Sequence, residues 1–172
     1  MNQKKIQAQI LEGAKTLVAL HHGITQALKS RATDPAAWQT ACDNFKNQYN
    51  HLAFPGGLTE GLAALKNHDA SATCLAIEFL KADPYYYRSG YNKQKIAHLL
   101  KNVSLKQEQM IELQAILIAL LKIKGPFYLE YCRLARKIQN PEFRAKVSAI
   151  VSQSTDTHEV ARAKKMLLAI NS

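Results

Sequence analysis

Four of the seven tyrosines in the chain, Tyr85, Tyr86, Tyr87 and Tyr91, fall within seven consecutive positions, with Arg88, Ser89 and Gly90 among them. Tyr and Arg are enriched at binding hot spots because each joins a large contact area to hydrogen-bonding groups. A planar guanidinium grips a carboxylate or a phosphate through two parallel hydrogen bonds. Phenol rings also stack on unpaired bases. Lys93 and Lys95 follow directly, so aromatic surface and cations meet in one short stretch. Three roles fit it. The tyrosines either lock a loop between helical layers, form a protein-binding hot spot, or make a platform for single-stranded nucleic acid.

A second basic group comprises Arg133, Arg136 and Lys137, whose spacings of three and four residues place them on one helix face, with Tyr128 on the same predicted helix. Glu130 stands three residues before Arg133 and offsets only one of these cations. A third group, Arg162, Lys164 and Lys165, belongs to the last helix. The candidate binding residues are therefore Tyr85, Tyr86, Tyr87, Arg88, Tyr91, Lys93, Lys95, Arg133, Arg136 and Lys137.

Catalytic chemistry finds few matching patterns. There is no C-x-x-C or H-x-x-x-H pair for zinc, and no E-x-x-H for a di-iron bundle. His21 and His22 are adjacent on a predicted helix and point in different directions. Gly56-Gly57 lacks the spacing and the lysine of a phosphate-binding loop. Cys42 and His51 share one predicted helix, but nine residues of helix separate them by about 13 Å. Asp34 with Trp38 is the only loose pair for base excision, and a helix cap and a core tryptophan explain both. Carboxylates are scarce in the second half, which leaves little material for a two-carboxylate hydrolase. No catalytic residue, metal ligand or cofactor is assigned.

Charge separates the two halves of the chain. Residues 1–84 hold 8 Lys and Arg against 7 Asp and Glu, whereas residues 85–172 hold 15 against 6. The formal charge of +10 thus belongs almost wholly to the second half and favours an anionic partner there. No apolar run is long enough to cross a bilayer, the longest lying near Ile116 to Leu121. The opening residues read as a mixed polar helix, which points to the cytoplasm, without a membrane partner. Cys42, Cys74 and Cys132 sit among apolar helical neighbours and are expected to be buried free thiols.

The elements that must position these residues are all helical. Apolar steps of three and four run from Lys4 to about Ser30 through Ile6, Ile10, Leu17, Ile24 and Leu28. Asp34-Pro35 opens a second helix bearing Trp38, Cys42, Phe45, Tyr49 and Leu52, and Phe54-Pro55-Gly56-Gly57 ends it. Short helices follow over Leu58 to Lys66 and from Asp69 to Ala82, with Leu75, Phe79 and Leu80 inward and Asp83-Pro84 as a stop. Gly90 is the residue best able to take an unusual backbone angle ahead of a helix starting at Asn92. Ser104 with Gln107 reads as a capping box for a helix to Lys124, and Gly125-Pro126 as a stop and restart. Phe127, Tyr131, Leu134 and Ile138 form the next stripe. Asn140-Pro141 opens another helix, and Asp156 with Glu159 caps the last.

The expected fold is a single all-α domain over residues 1–172, with about nine helices in antiparallel pairs, as an irregular bundle or a short helical-repeat-like array. The expected function is non-enzymatic binding, a basic face docking on an acidic protein partner in an inhibitor, adaptor or toxin-neutralising role. Nucleic-acid binding through the basic helices and the Tyr/Arg loop is the alternative, and an enzyme with an unrecognised site stands third. No signal in the sequence sets an oligomeric state.

Overall fold

The computed structural model describes residues 2–123 and 126–172. Among these the chain is all-α, with nine helices and no strand, packed in pairs as the helix punctuation predicts. Contacts divide it into two compact units, Met1–Asn92 and Lys93–Ser172, so the boundary lies eight residues beyond the charge break at residue 84.

The first unit contains α1 (Gln3–Lys29), α2 (Pro35–Ala53), α3 (Leu58–Lys66), α4 (Ala70–Ala82) and the start of α5 (Ser89–Leu100). Asp34 caps α2 by accepting from the Ala37 N–H at 2.9 Å, and Asp69 caps α4 through the Ala72 N–H at 2.8 Å. Each carboxylate satisfies a donor that the first helical turn leaves open. α1 packs on α2 and α4, and α3 packs on α2 and α4. A Cβ at Gly13 would run into the Leu52 carbonyl, so glycine is what lets the backbones of α1 and α2 approach. The core joins Ile6, Ile10, Ala14 and Leu17 of α1 to Ala76, Ile77, Phe79 and Leu80 of α4, with Phe54 and Phe79 rings 5.5 Å apart.

Several expectations here need correction. The α1 stripe keeps its register, but burial stops at Leu17: Ile24 is half-buried and Leu28 exposed. The α2 stripe is half-buried, including Trp38, which is no core residue. The Arg31 guanidinium lies 4.1 Å from its ring centroid. Of the thiols, only Cys132 is buried, while Cys42 is intermediate and Cys74 exposed on the narrow outward strip of α4. α4 ends with Asp83 left-handed at φ 44°, a conformation that a short polar side chain tolerates.

The second unit contains the rest of α5 with α6 (Gln107–Lys122), α7 (Leu129–Ile138), α8 (Pro141–Gln153) and α9 (Thr157–Asn171). α9 packs on α6, α7 and α8, and α6 on α7 and α8. Ile96, Leu100, Leu113, Leu117, Leu121, Tyr131, Leu134, Phe143, Val147 and Met166 form its core. Asn140 caps α8 by accepting from the Phe143 N–H at 2.8 Å, with Pro141 in the first helical position as expected. The cap of α6 is displaced from the Ser104–Gln107 pair. The Lys106 N–H donates to Gln109 Oε1 at 2.9 Å, so the helix starts two residues later. The expected end at Lys124 and the Gly125 stop lie outside the described residues. Tyr128 stands at the N-cap of α7, ahead of the helix. Asp156 caps α9 through the His158 and Glu159 N–H groups, and Glu159 takes the Ser154 hydroxyl at 2.6 Å. Carbonyls at two helix ends are covered by side chains. Gln114 donates to the Ile138 carbonyl at 2.6 Å, and Arg162 donates to the Leu121 and Ile123 carbonyls. Among the described residues no helix is long and apolar enough to cross a membrane.

Candidate functional site

The tyrosine segment is a sharp turn, and its residues have unlike fates. Tyr86 is the inward one, 4 % exposed. Its hydroxyl donates to the Ala53 carbonyl at 2.9 Å and accepts from Asn92 Nδ2 at 2.9 Å. The other proton of that amide goes to the Tyr49 hydroxyl at 3.0 Å. The Tyr86 N–H donates to Ser89 Oγ at 3.2 Å, closing the turn on itself. Burial pushes the Tyr86 phenol well above its ordinary range and the Tyr49 phenol upward too, against the lowering effect of the Asn92 hydrogen bond on each. Tyr86 is thus an anchor within the first unit, which corrects its assignment to a contact surface.

The remaining turn residues face outward. Tyr85 is 85 % exposed and Tyr91 73 %, and Tyr87 and Arg88 are exposed as well. Tyr87 stays tethered by its faces and edges: its ring stacks on His21 at 4.6 Å and 15°, and meets Phe45 edge-on at 6.0 Å. The Arg88 guanidinium lies 5.5 Å from the same ring. Arg88, not Gly90, holds the left-handed backbone, at φ 68°; Gly90 is helical, because α5 begins at Ser89 and not at Asn92. A non-glycine residue in that region is strained and persists only where its surroundings fix it. Here the Tyr86–Ser89–Asn92 hydrogen bonds supply that constraint.

Of the two lysines that follow, Lys95 is exposed, but Lys93 is only 7 % exposed. Its ammonium is therefore no open surface charge, because helical period turns Lys93 toward the same side of α5 as Ile96 and Ala97.

In the second unit, α7 buries Tyr131, Cys132, Leu134, Ala135 and Ile138 and turns Arg133, Arg136 and Lys137 to solvent. Glu130 is engaged twice, by Arg133 and by His98 Nδ1 at 3.3 Å. α9 lies against α7 and exposes Lys164 and Lys165. The Lys165 ammonium is near enough to Cys132 to pull its thiol down against the stronger upward push of burial. A buried thiol held in its neutral form is no nucleophile. Arg136, Lys137, Lys164 and Lys165 meet no carboxylate among the described residues. Arg162, grouped with the lysines by sequence, is instead turned to the α6 carbonyls.

Sequence reasoning missed Asn92, His21 and Phe45 as the supports of the turn, and Leu168 beside the α9 lysines. Leu168 is 73 % exposed. Its spacing of three and four from Lys165 and Lys164, opposite the buried Ala163, Met166 and Ile170, was the available signal. Among the described residues no group of three His, Cys, Asp or Glu side chains is placed to hold a metal ion. Compared with family models, with curated proteins and with solved structures, the chain matches none.

Proposed function

We propose that the chain is a non-enzymatic binding protein that docks on an acidic protein partner through the outward faces of α7 and α9. The observation that carries this reading is the set of four exposed cations, Arg136, Lys137, Lys164 and Lys165, on two helices packed together, none of them neutralised by a carboxylate of the described chain. Residues 93–172 hold 14 Lys and Arg against 6 Asp and Glu, so the field around these helices draws anions and repels cationic surfaces. Leu168, one turn along α9 from Lys164 and Lys165, adds exposed apolar area, which a protein surface can cover and a phosphate backbone cannot. An inhibitor, an adaptor or a neutraliser of an acidic partner would use such a face.

The test replaces the four cations together by glutamine and measures binding of a labelled amphipathic helical peptide of glutamate and leucine by fluorescence anisotropy. All four are exposed, so the helical circular dichroism should be unchanged. The reading expects the affinity to fall about tenfold or more. Unchanged affinity would overturn it.

A further inference from the structure

The α7–α9 face leaves the exposed turn of the first unit without a role, and that turn is built like a recognition element in its own right. Tyr85, Tyr87, Arg88 and Tyr91 are exposed large side chains within one turn, over an anchor that cannot drift. The anchor is the buried Tyr86–Asn92 pair, whose hydrogen bonds are 2.9 Å long and reach the Ala53 carbonyl. The path of the turn is set before binding, because Tyr87 is held by His21 and Phe45 and the Arg88 backbone stands at φ 68°. Pre-organisation of this kind removes part of the entropic cost of association.

We propose that this turn is a second binding site, taking a protein segment that presents one carboxylate flanked by apolar side chains. Arg88 supplies the planar fork for the carboxylate. Tyr85 and Tyr91 supply amphipathic area for the flanking side chains. Two features of the first unit favour this occupant over single-stranded nucleic acid. The Tyr87 ring already carries His21 stacked on it and has the Arg88 guanidinium 5.5 Å from its centroid, so part of its surface is taken before a base could stack there. The first unit holds 9 Lys and Arg against 7 Asp and Glu, too even a balance to neutralise a run of phosphates. Among the turn residues 85–91 Arg88 is the one charged side chain, and a single guanidinium matches a single carboxylate. This inference is independent of the α7–α9 face, since none of its residues lies in the second unit.

The full chain is titrated with a short peptide carrying one glutamate between leucines, with the same peptide carrying glutamine, and with oligothymidine. The Arg88 Nε–H resonance and the tyrosine ring signals are followed by NMR. The proposal expects saturable shifts with the glutamate peptide and at least a tenfold weaker response with the glutamine peptide. Arg88→Gly keeps the left-handed backbone accessible without the guanidinium, so it should fold and lose the response. The double variant of Tyr85→Ala and Tyr91→Ala, both at exposed positions, should weaken the response with Arg88 intact. Equal responses to the two peptides would overturn the proposal, as would a full response in Arg88→Gly. Saturable binding of oligothymidine at these resonances in preference to the peptide would overturn it in favour of nucleic acid.

Discussion

Tyr86 shows how one hydroxyl organises a turn. Its proton goes to the Ala53 carbonyl and its oxygen takes one proton of the Asn92 amide, so Tyr86→Phe leaves a buried acceptor and a buried donor short of a partner. The expected cost is about 1–3 kcal/mol, read from the shift of the urea unfolding midpoint. The same phenol gives a pH dependence of definite sign. Burial raises the folded-state values of Tyr86 and Tyr49, whereas the unfolded phenols ionise near about 10. Above that pH the unfolded chain binds fewer protons than the folded one, so the stability these groups contribute, complete below about 10, is lost as pH rises. Tyr86→Phe should therefore show a shallower alkaline decline than the parent chain, with Tyr49 supplying the remainder. Identical slopes in the two proteins would remove Tyr86 from this role. Which tyrosine turned inward was not legible in the sequence. The alternation along Tyr85, Tyr86 and Tyr87 depends on the left-handed Arg88 and on the Asn92 amide from the next helix. Arg and Asn at those positions give no local sign of either.

At the scale of elements, the readable features were those settled within a few residues. Asp34-Pro35 and Asn140-Pro141 start helices because a carboxylate or amide oxygen and a fixed φ act within one turn, and both caps form as expected. Ser104 failed for a related reason: Gln109 reaches back to the Lys106 N–H, a competing cap of the same chemistry two residues on. Burial along α1 ends at Leu17, so Ile24 and Leu28 keep the period of the core stripe without its burial, a difference that depends on tertiary neighbours and not on the local pattern. Gly13 had no sequence signature, since its need comes from the Leu52 carbonyl on α2. Gly13→Ala sets a methyl against that carbonyl and must push the two helices apart. A loss of about 1–3 kcal/mol is expected in chemical denaturation, although alanine is the better helix former by roughly 1 kcal/mol. A variant as stable as the parent would show that the α1–α2 approach can relax without cost.

For the molecule as a whole, the charge split along the chain was plain in the sequence, and the all-α class with it. What composition did not reveal is which cations stay free. Arg133 is taken by Glu130, Arg162 by the α6 carbonyls, and Lys93 is buried, which leaves Arg136, Lys137, Lys164 and Lys165 as the outward set on α7 and α9. A set of that kind attracts any polyanion, and under the proposed reading the exposed Leu168 is what favours a protein over a phosphate backbone. Phosphate neutralisation makes log K fall with log salt by about 0.9 per phosphate, whereas apolar contact survives added salt. The most direct measurement compares the parent chain with Leu168→Ser for binding of the glutamate-leucine peptide and of duplex DNA across a salt series. The account predicts that the peptide keeps measurable affinity at high salt and loses it severalfold in Leu168→Ser. It predicts weaker, steeply salt-sensitive DNA binding that the substitution leaves unchanged. Tighter binding of DNA than of the peptide at physiological salt, with no effect of Leu168→Ser on either, would contradict it.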